Sequence, residues 1–281
     1  GLLLAAALRA PRTSWQTLLF ACNLFYLASI VVKLHFYRHG CVQLRTQRAA
    51  LPTIRAEAAA LSDAALPVYS VLVPLYRESG DVMKRLIESL SALDYPREKL
   101  DIKLICEADD ANTITTLKTL RPPEIFEILT VPPSSPRTKP KACNVALQQI
   151  RGEFLVIYDA EDIPAPDQLR RAALLFQRGS ARLACLQGRL NYYNRNENLL
   201  TQLFAIEYST LFRISLPALE RLRMPIPLGG TSNHLRVDAL KEAGGWDAFN
   251  VTEDADLGVR LSYLGYETRR SEERRRERVS S

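Results

Sequence analysis

Hydrophobic residues form a nearly unbroken run near the N-terminus of the chain. Residues 15–32 (WQTLLFACNLFYLASIVV) contain no charged side chain and only four clearly polar ones. At about 1.5 Å per residue, a helix of this length is roughly 27 Å long, close to the hydrocarbon core of a bilayer, which is about 30 Å thick. The pattern predicts a membrane helix over about residues 15–34. The alternative interpretation is a buried helix of a soluble domain.

The charges around this run predict its orientation. No acidic residue precedes Glu57, and two basic residues lie before the run whereas five lie from Lys33 to Arg55. Because basic flanks mark the cytoplasmic side of a membrane helix, we expect everything after residue 33 to lie in the cytoplasm, at the inner membrane. Residues 1–8 (GLLLAAAL) are too short to span and are interpreted as the cut end of an earlier apolar helix.

Two segments precede the rest of the chain in this interpretation. Residues 1–37 are the membrane segment. Residues 38–67 are assigned to a linker or connecting helix, since they are rich in alanine with scattered charge and contain Pro52 and Pro67 as stops.

From Tyr69 onward, short β-branched runs alternate with segments of helical spacing. This alternation predicts an α/β fold, a sheet with helices on both faces, in which ligands bind beyond the carboxyl ends of the strands. The predicted strands are Tyr69–Pro74, Asp101–Cys106, Phe126–Val131, Glu153–Tyr158 and Leu183–Leu190, and the predicted helices are Asp81–Leu93, Asn112–Leu120, Lys141–Ile150 and Pro166–Arg178.

Composition excludes several classes of function. The net charge is +6, but the basic surplus lies in residues 1–55 and 269–281, so the part between them is mildly acidic and no nucleic-acid partner is expected. Five scattered cysteines without C-x-x-C and three histidines without H-E-x-x-H argue against a disulfide scaffold and a zinc site. Any catalysis must therefore rest mainly on carboxylates.

Three acidic clusters follow predicted elements, at 107–110 (EADD), 159–162 (DAED) and 252–256 (TEDAD). Helix capping accounts for one acid at each place, but not for three within four residues. Crowded carboxylates suit a hard divalent cation, Mg²⁺ or Mn²⁺, shared with substrate phosphates. Basic residues at 137, 139 and 141 would suit a diphosphate, with a solvated loop as the alternative. The segment 229–234 (GGTSNH) suits a polyol or forms a plain turn.

The order of these motifs from Tyr69 to Tyr266 resembles the family 2 glycosyltransferases, in the membrane-bound branch of cellulose-synthase-like and poly-N-acetylglucosamine-synthase-like enzymes. The resemblance implies a GT-A-type domain over residues 68–268, with a mixed, mainly parallel sheet. It also implies inverting transfer of a sugar from a UDP-sugar to a glycan or lipid-linked acceptor, with Mg²⁺ or Mn²⁺ as cofactor.

The resemblance further implies roles for individual residues. Asp254 of the T-E-D motif is the candidate base, and Asp159 and Glu161 stand where the family has its D-x-D metal motif, with Glu as a departure. The implied nucleotide-binding residues are Pro74, Tyr76, Glu78, Glu107, Asp110, Lys139, Lys141 and Asp159. The implied acceptor-binding residues are Gly230, Thr231, Ser232 and Glu253, within a pocket that the segment Gly229–His234 lines.

The C-terminus departs from the family pattern. The family continues with another strand and a Q-x-x-R-W motif, whereas residues 269–281 (RRSEERRRERVSS) predict a charged, disordered tail and a C-terminally truncated chain. Two alternatives to an enzyme stay open: a non-catalytic truncated remnant, and a soluble nucleotide-sugar-binding module.

Overall fold

A computed structural model describes residues 11–188 and 199–271. Within these residues, seven strands form one sheet in the order β3-β2-β1-β4-β6-β5-β7. The strands are β1 (Tyr69–Leu75), β2 (Leu100–Glu107), β3 (Phe126–Val131), β4 (Phe154–Ile157), β5 (Leu183–Gly188), β6 (Asn233–Arg236) and β7 (Glu267–Ser271).

The sheet is mixed, and most of its strands are parallel. Strands β1 to β4 run parallel to one another, β6 is antiparallel to both β4 and β5, and β7 is parallel to β5. The predicted α/β class and mixed, mainly parallel sheet are thus confirmed. Strand β6 lies where the sequence predicts a polar loop or turn, because its four residues are too few to show a strand period.

Helices cover both faces of the sheet. They are α1 (Pro11–Ala60), α2 (Gly80–Ser91), α3 (Ala111–Leu120), α4 (Lys139–Leu147), α5 (Gln168–Arg178), α6 (Leu199–Thr210), α7 (Leu216–Arg221), α8 (Val237–Glu242) and α9 (Glu253–Tyr263), with a π-helical segment, Leu211–Ser215, between α6 and α7. Helices α2, α3 and α5 bury their apolar residues on one face, and α4, α8 and α9 do so on the other.

Helix α1 is longer than the sequence pattern predicts. It continues through Pro52, so the expectation that Pro52 ends the helix is wrong. Proline removes one backbone hydrogen bond, but side-chain contacts with the domain hold this half of the helix. Gln47 donates to Glu220 at 2.7 Å, Arg55 pairs with Asp167 at 3.2 Å, and Ala58 is buried.

The first half of α1 has a different character. It contains an apolar window long enough to cross a membrane, and none of that window is buried within the protein. Large apolar side chains such as Trp15, Phe20 and Phe25 are all more than half exposed. Among the described residues, α1 is therefore the one helix that satisfies the length and composition of a membrane span.

The described chain continues as a strand beyond the predicted start of the tail at residue 269. Residues 269–271 belong to β7 and pair with β5, so the expected disordered tail does not begin at 269. Arg270 is buried, and its guanidinium donates to the Phe212 carbonyl and lies 5.7 Å from the Phe212 ring centre. The predicted cut helix at 1–8, the end of the predicted strand at 189–190, and residues 272–281 lie outside the described residues.

Gly40 provides a test of how α1 packs on the domain. A Cβ atom there would lie 2.1 Å from the Ile214 carbonyl oxygen in the π-helical segment, a backbone atom with little freedom to yield. We expect Gly40→Ala to destabilise the folded chain by about 1–3 kcal/mol. Thermal unfolding in detergent measures this. Gly80→Ala is the control, since its Cβ meets nothing nearer than 3.5 Å. Equal unfolding midpoints for the two variants would contradict this packing.

Candidate active site

Many of the candidate site residues lie at the carboxyl edge of the parallel strands. Asp159 follows β4, Glu78 follows β1, and Asp110 follows β2. Helix α4 begins at this edge with Lys139, and α9 begins there with Glu253 and Asp254. The clusters that are far apart in sequence therefore meet at one edge of the sheet, as expected for an open α/β fold.

Lys139 links three parts of this edge. Its Nζ lies 2.5 Å from Asp159 Oδ1 and 2.6 Å from the Gly230 carbonyl oxygen. A Cβ atom built on Gly230 would lie 3.8 Å from Asp254 Oδ2. Burial lowers the pKa of Lys139, but the carboxylates of Asp159 and Asp254 outweigh that effect and raise it. The side chain therefore stays a cation among carboxylates.

Asp254 is a buried carboxyl in the first turn of α9, with 6% of its surface exposed. Burial raises the pKa of Asp254 to about 7; Glu253 and Asp159 also raise it, and Lys139 lowers it. A carboxyl with a pKa near neutrality is matched to proton transfer at physiological pH. An exposed aspartate, with a pKa of about 3.9, is a much weaker base, so burial makes Asp254 a better proton acceptor.

The carboxylates around Asp159 repel one another. The pKa of Glu78 is raised by burial first and then by Glu161, Asp159 and Asp110. Among residues 11–188 and 199–271, no three histidine, cysteine or acidic side chains converge as a complete metal cage. Asp159 and the exposed Glu161 still offer the hard oxygen donors that fit a cation bringing substrate phosphates as further ligands.

A cleft of about 530 Å³ opens beside these carboxylates. Tyr76, Glu78 and Asp110, three of the expected nucleotide-binding residues, line it, and Pro74 lies just before it on β1. Asp110 also caps α3, since its carboxylate accepts from the Thr113 backbone N–H at 3.2 Å. It accepts as well from the Thr113 hydroxyl at 2.7 Å and the Arg77 backbone N–H at 2.6 Å. Burial raises the pKa of Asp110, but these hydrogen bonds outweigh that effect and hold the pKa below its usual value.

Glu107 and Lys141 are placed together, away from that cleft. Lys141 Nζ lies 2.8 and 2.9 Å from the two carboxylate oxygens of Glu107, and both side chains are more than nine-tenths buried. This pair ties α4 to the end of β2. Of the two lysines implied for the diphosphate, Lys139 is the one that contacts Asp159.

The expected acceptor-binding residues are divided between the surface and the interior. Gly230 is exposed beside Asp254 and Glu253 is half-buried, whereas Thr231 and Ser232 are buried against the end of β4. His234 is fully buried on β6, with its ring nitrogens 2.7 Å from Tyr69 Oη and 3.0 Å from Gln168 Nε2. The expectation that His234 lines the acceptor pocket is wrong, because strand pairing directs it into the core.

Asn144 and Asp162 hold the site together in ways that the sequence analysis did not predict. Asn144 donates to the Trp246 carbonyl at 2.6 Å and accepts from the Trp246 N–H at 3.0 Å, which fixes the turn before α9. Asp162, the last acid of the 159–162 cluster, accepts from the Asp159 backbone N–H.

The fold is that of the GT-A class, and two of the solved structures that share it contain a bound nucleotide sugar. A mannosyltransferase, PcManGT from Pyrobaculum calidifontis in complex with GDP-Man and Mn²⁺, superposes with a TM-score of 0.58 at 17% identity, covering 85% of this chain and 68% of that one. S. aureus TarS 1-349 in complex with UDP-GlcNAc gives a TM-score of 0.51 at 17% identity, covering 74% and 59%.

Sequence comparison then gives the family. The model described as "Glycosyltransferase like family 2" matches residues 67–273, so the chain belongs to this family of glycosyltransferases. "Probable glycosyltransferase YdaM" of Bacillus subtilis (strain 168) is 24% identical over 206 residues, and "Glucomannan 4-beta-mannosyltransferase 2" of Arabidopsis thaliana is 26% identical over 227 residues. Each alignment covers 73% of this chain but only 49% and 40% of those relatives, so the chain spans half their length or less.

The raised pKa of Asp254 predicts an effect on stability. A folded state that binds this proton more tightly than the unfolded chain loses stability as pH rises from about 4 towards 7. Asp254→Asn removes this loss, so at pH 8 the variant should unfold at a higher denaturant concentration than wild type. Its free energy of unfolding should exceed that of wild type by no more than about 4 kcal/mol. The difference should shrink by pH 5.

Chemical denaturation at the two pH values measures this effect. Asp256→Asn, two residues along the same helix in a half-buried pair with Arg260, is the control. Parallel stability profiles for wild type and Asp254→Asn between pH 5 and 8 would show that folding does not raise the pKa of Asp254.

Proposed function

We propose that this chain catalyses inverting transfer of a sugar from a UDP-sugar to a hydroxyl group of a glycan or lipid-linked acceptor. One observation carries the proposal: Lys139 Nζ contacts both Asp159 and Gly230, and Gly230 adjoins the buried carboxyl of Asp254. A cation, a candidate metal-binding carboxylate and a candidate base with a pKa near 7 thus lie together at one strand edge. These are the groups that such a transfer requires.

The proposed chemistry begins at Asp254. Its carboxylate accepts the proton of the acceptor hydroxyl as that oxygen forms a bond to the anomeric carbon of the donor sugar. The bond from that carbon to the diphosphate oxygen breaks, and the diphosphate leaves with the electron pair. Attack opposite the leaving group inverts the anomeric configuration. Burial at Asp254 serves this step, because it keeps the carboxyl basic enough to take the proton.

The leaving diphosphate gains negative charge, and the site contains groups that can offset it. Lys139 provides a fixed ammonium at this edge. Asp159 and Glu161 would hold Mg²⁺ or Mn²⁺, which as a Lewis acid stabilises a leaving diphosphate. The PcManGT complex with GDP-Man and Mn²⁺ supports the choice of a divalent cation.

The cleft beside Tyr76, Glu78 and Asp110 is the proposed nucleotide site. It opens at the carboxyl ends of β1 and β2, where open α/β sheets bind ligands. Tyr76 is half exposed, with the Arg77 guanidinium 5.1 Å from its ring centre, and an aromatic ring at this position can stack on a base. The Glu107–Lys141 pair ties α4 to the end of β2, the strand that precedes Asp110. The TarS complexes with UDP-GlcNAc and UDP support a uridine nucleotide.

We also propose that α1 anchors the domain to the inner membrane with the catalytic domain in the cytoplasm. The exposed apolar first half of α1 and the excess of basic residues after it support this orientation. The second half of α1 packs on α5 and α7. A membrane position would bring a lipid-linked acceptor or an emerging glycan close to Asp254.

Asp254→Asn tests the catalytic assignment. We expect release of UDP from a panel of UDP-sugars, with acceptor present, to fall about 10²–10⁴-fold, since the variant cannot accept the acceptor proton. UDP affinity should stay within a few-fold of wild type. Wild-type activity should decline as pH falls below about 7, where Asp254 becomes protonated. Asp256→Asn should keep wild-type turnover, and near-wild-type turnover of Asp254→Asn would refute the assignment.

Membrane anchoring is tested by alkaline carbonate extraction of membranes from cells expressing the chain. A spanning helix stays in the pellet, so we expect the wild-type chain there. The exposed pair Leu24→Arg and Leu27→Arg should release it, since each central charge costs about 2.5–3.5 kcal/mol on insertion. Wild-type chain in the supernatant would contradict the proposed anchor.

A further inference from the structure

Asp162 is a buried carboxylate at the carboxyl edge of the sheet, and the proposed chemistry does not use it. Only 3% of its surface is exposed. Its Oδ2 accepts from the Asp159 backbone N–H at 2.9 Å and also from the Thr231 hydroxyl. The Asp162 N–H in turn donates to the Asp159 carbonyl at 3.0 Å, so the loop from 159 to 162 closes on itself.

Thr231 completes the same network from another part of the chain. Its hydroxyl lies 3.2 Å from the Asp159 N–H as well as beside Asp162. The next residue, Ser232, donates its N–H to the Ile157 carbonyl at 2.8 Å, which joins this segment to the end of β4. Residues 72 positions apart therefore share one hydrogen-bonded junction.

We propose that Asp162 and Thr231 form a clasp that positions Asp159 for the metal and couples it to the Gly230 segment beside Asp254. Asp162 is a positioning residue, since its carboxylate is occupied by the Asp159 N–H and the Thr231 hydroxyl. This inference rests on the proposed function. In that function, the clasp keeps a fixed distance between Asp159, which would hold the metal, and the Gly230 segment beside the proposed base.

The hydrogen-bond geometry separates this role from direct metal binding. One oxygen, Oδ2, accepts both hydrogen bonds, so the carbonyl oxygen of an asparagine can replace it. A metal ligand, in contrast, depends on the negative charge, which asparagine lacks. Similarly, Thr231→Ser keeps the hydroxyl and Thr231→Val removes it with little change of shape. The chain thus offers a conservative and a disruptive variant at each end of the clasp.

The first measurement is amide hydrogen exchange of the peptide covering residues 158–163, without metal or nucleotide. The Asp159 N–H should exchange at least about tenfold faster in Asp162→Ala and Thr231→Val, since its acceptors are lost or displaced. Asp162→Asn and Thr231→Ser should stay near wild type. Unchanged exchange in both disruptive variants would overturn the clasp, whatever the chain's activity.

The second measurement is calorimetric titration of Mn²⁺ into each variant saturated with UDP. Loss of a residue that orients a metal ligand weakens metal binding by about 10–100-fold, so we expect this for Asp162→Ala and Thr231→Val. The two conservative variants should stay within about threefold of wild type. A loss in Asp162→Asn as large as in Asp162→Ala would overturn the inference in favour of a direct charge role.

The two measurements fail in distinguishable ways. Absence of Mn²⁺ binding by the wild-type chain with UDP would count against the proposed function, while the exchange data would still decide whether the clasp exists. Normal Mn²⁺ binding in Thr231→Val, with wild-type binding intact, would overturn the proposal that the clasp positions Asp159 for the metal and would leave the proposed function in place. Far-ultraviolet circular dichroism of each variant confirms that the fold is retained.

Discussion

The ammonium group of Lys139 lies between the Asp159 carboxylate and the Gly230 carbonyl oxygen, with the buried carboxyl of Asp254 directly beyond. Without this cation, several carboxylates at one strand edge would repel one another at close range, which is costly in a partly buried setting. The contact joins α4, the loop after β4 and the segment before β6. It therefore determines the distance between the groups proposed to bind metal and to accept a proton.

Burial determines the pKa of Asp254. Its pKa near 7 arises mainly from removal of water, with the charges of Lys139, Glu253 and Asp159 as smaller effects. Asn144 contributes indirectly, since it holds the Trp246 backbone in the turn that precedes α9. A less tightly held turn would admit water and return the carboxyl towards its ordinary pKa.

The sequence predicted those elements whose signals are local. Strand β3 has the predicted bounds, because a short β-branched run between turns is distinctive. Helices α6 and α7 were not predicted, and Pro52 was wrongly taken as a stop. Helix α7 and the second half of α1 pack on each other, a contact between distant parts of the chain that no local pattern shows. The Arg-rich start of the predicted tail is a strand for the same reason, since Arg270 finds its partners at Phe212.

The candidate site was predictable as a set of motifs but not as a geometry. Lys139 and Lys141 lie two residues apart on a helix, about 200° apart around its axis, so one meets Asp159 and the other meets Glu107. No local pattern distinguishes them before the sheet is assembled. The same limit applies to His234 and Gly230, four residues apart, of which one is in the core and the other at the surface.

Binding of UDP by the wild-type chain, measured calorimetrically with Mn²⁺ and again with the metal chelated, tests the central claim most directly. If Asp159 and its neighbours bind a metal–diphosphate unit, UDP should bind with Mn²⁺ and lose at least about tenfold in affinity, about 1.4 kcal/mol, when the metal is removed. Equal UDP affinity with and without Mn²⁺, or no UDP binding at all, would contradict the account.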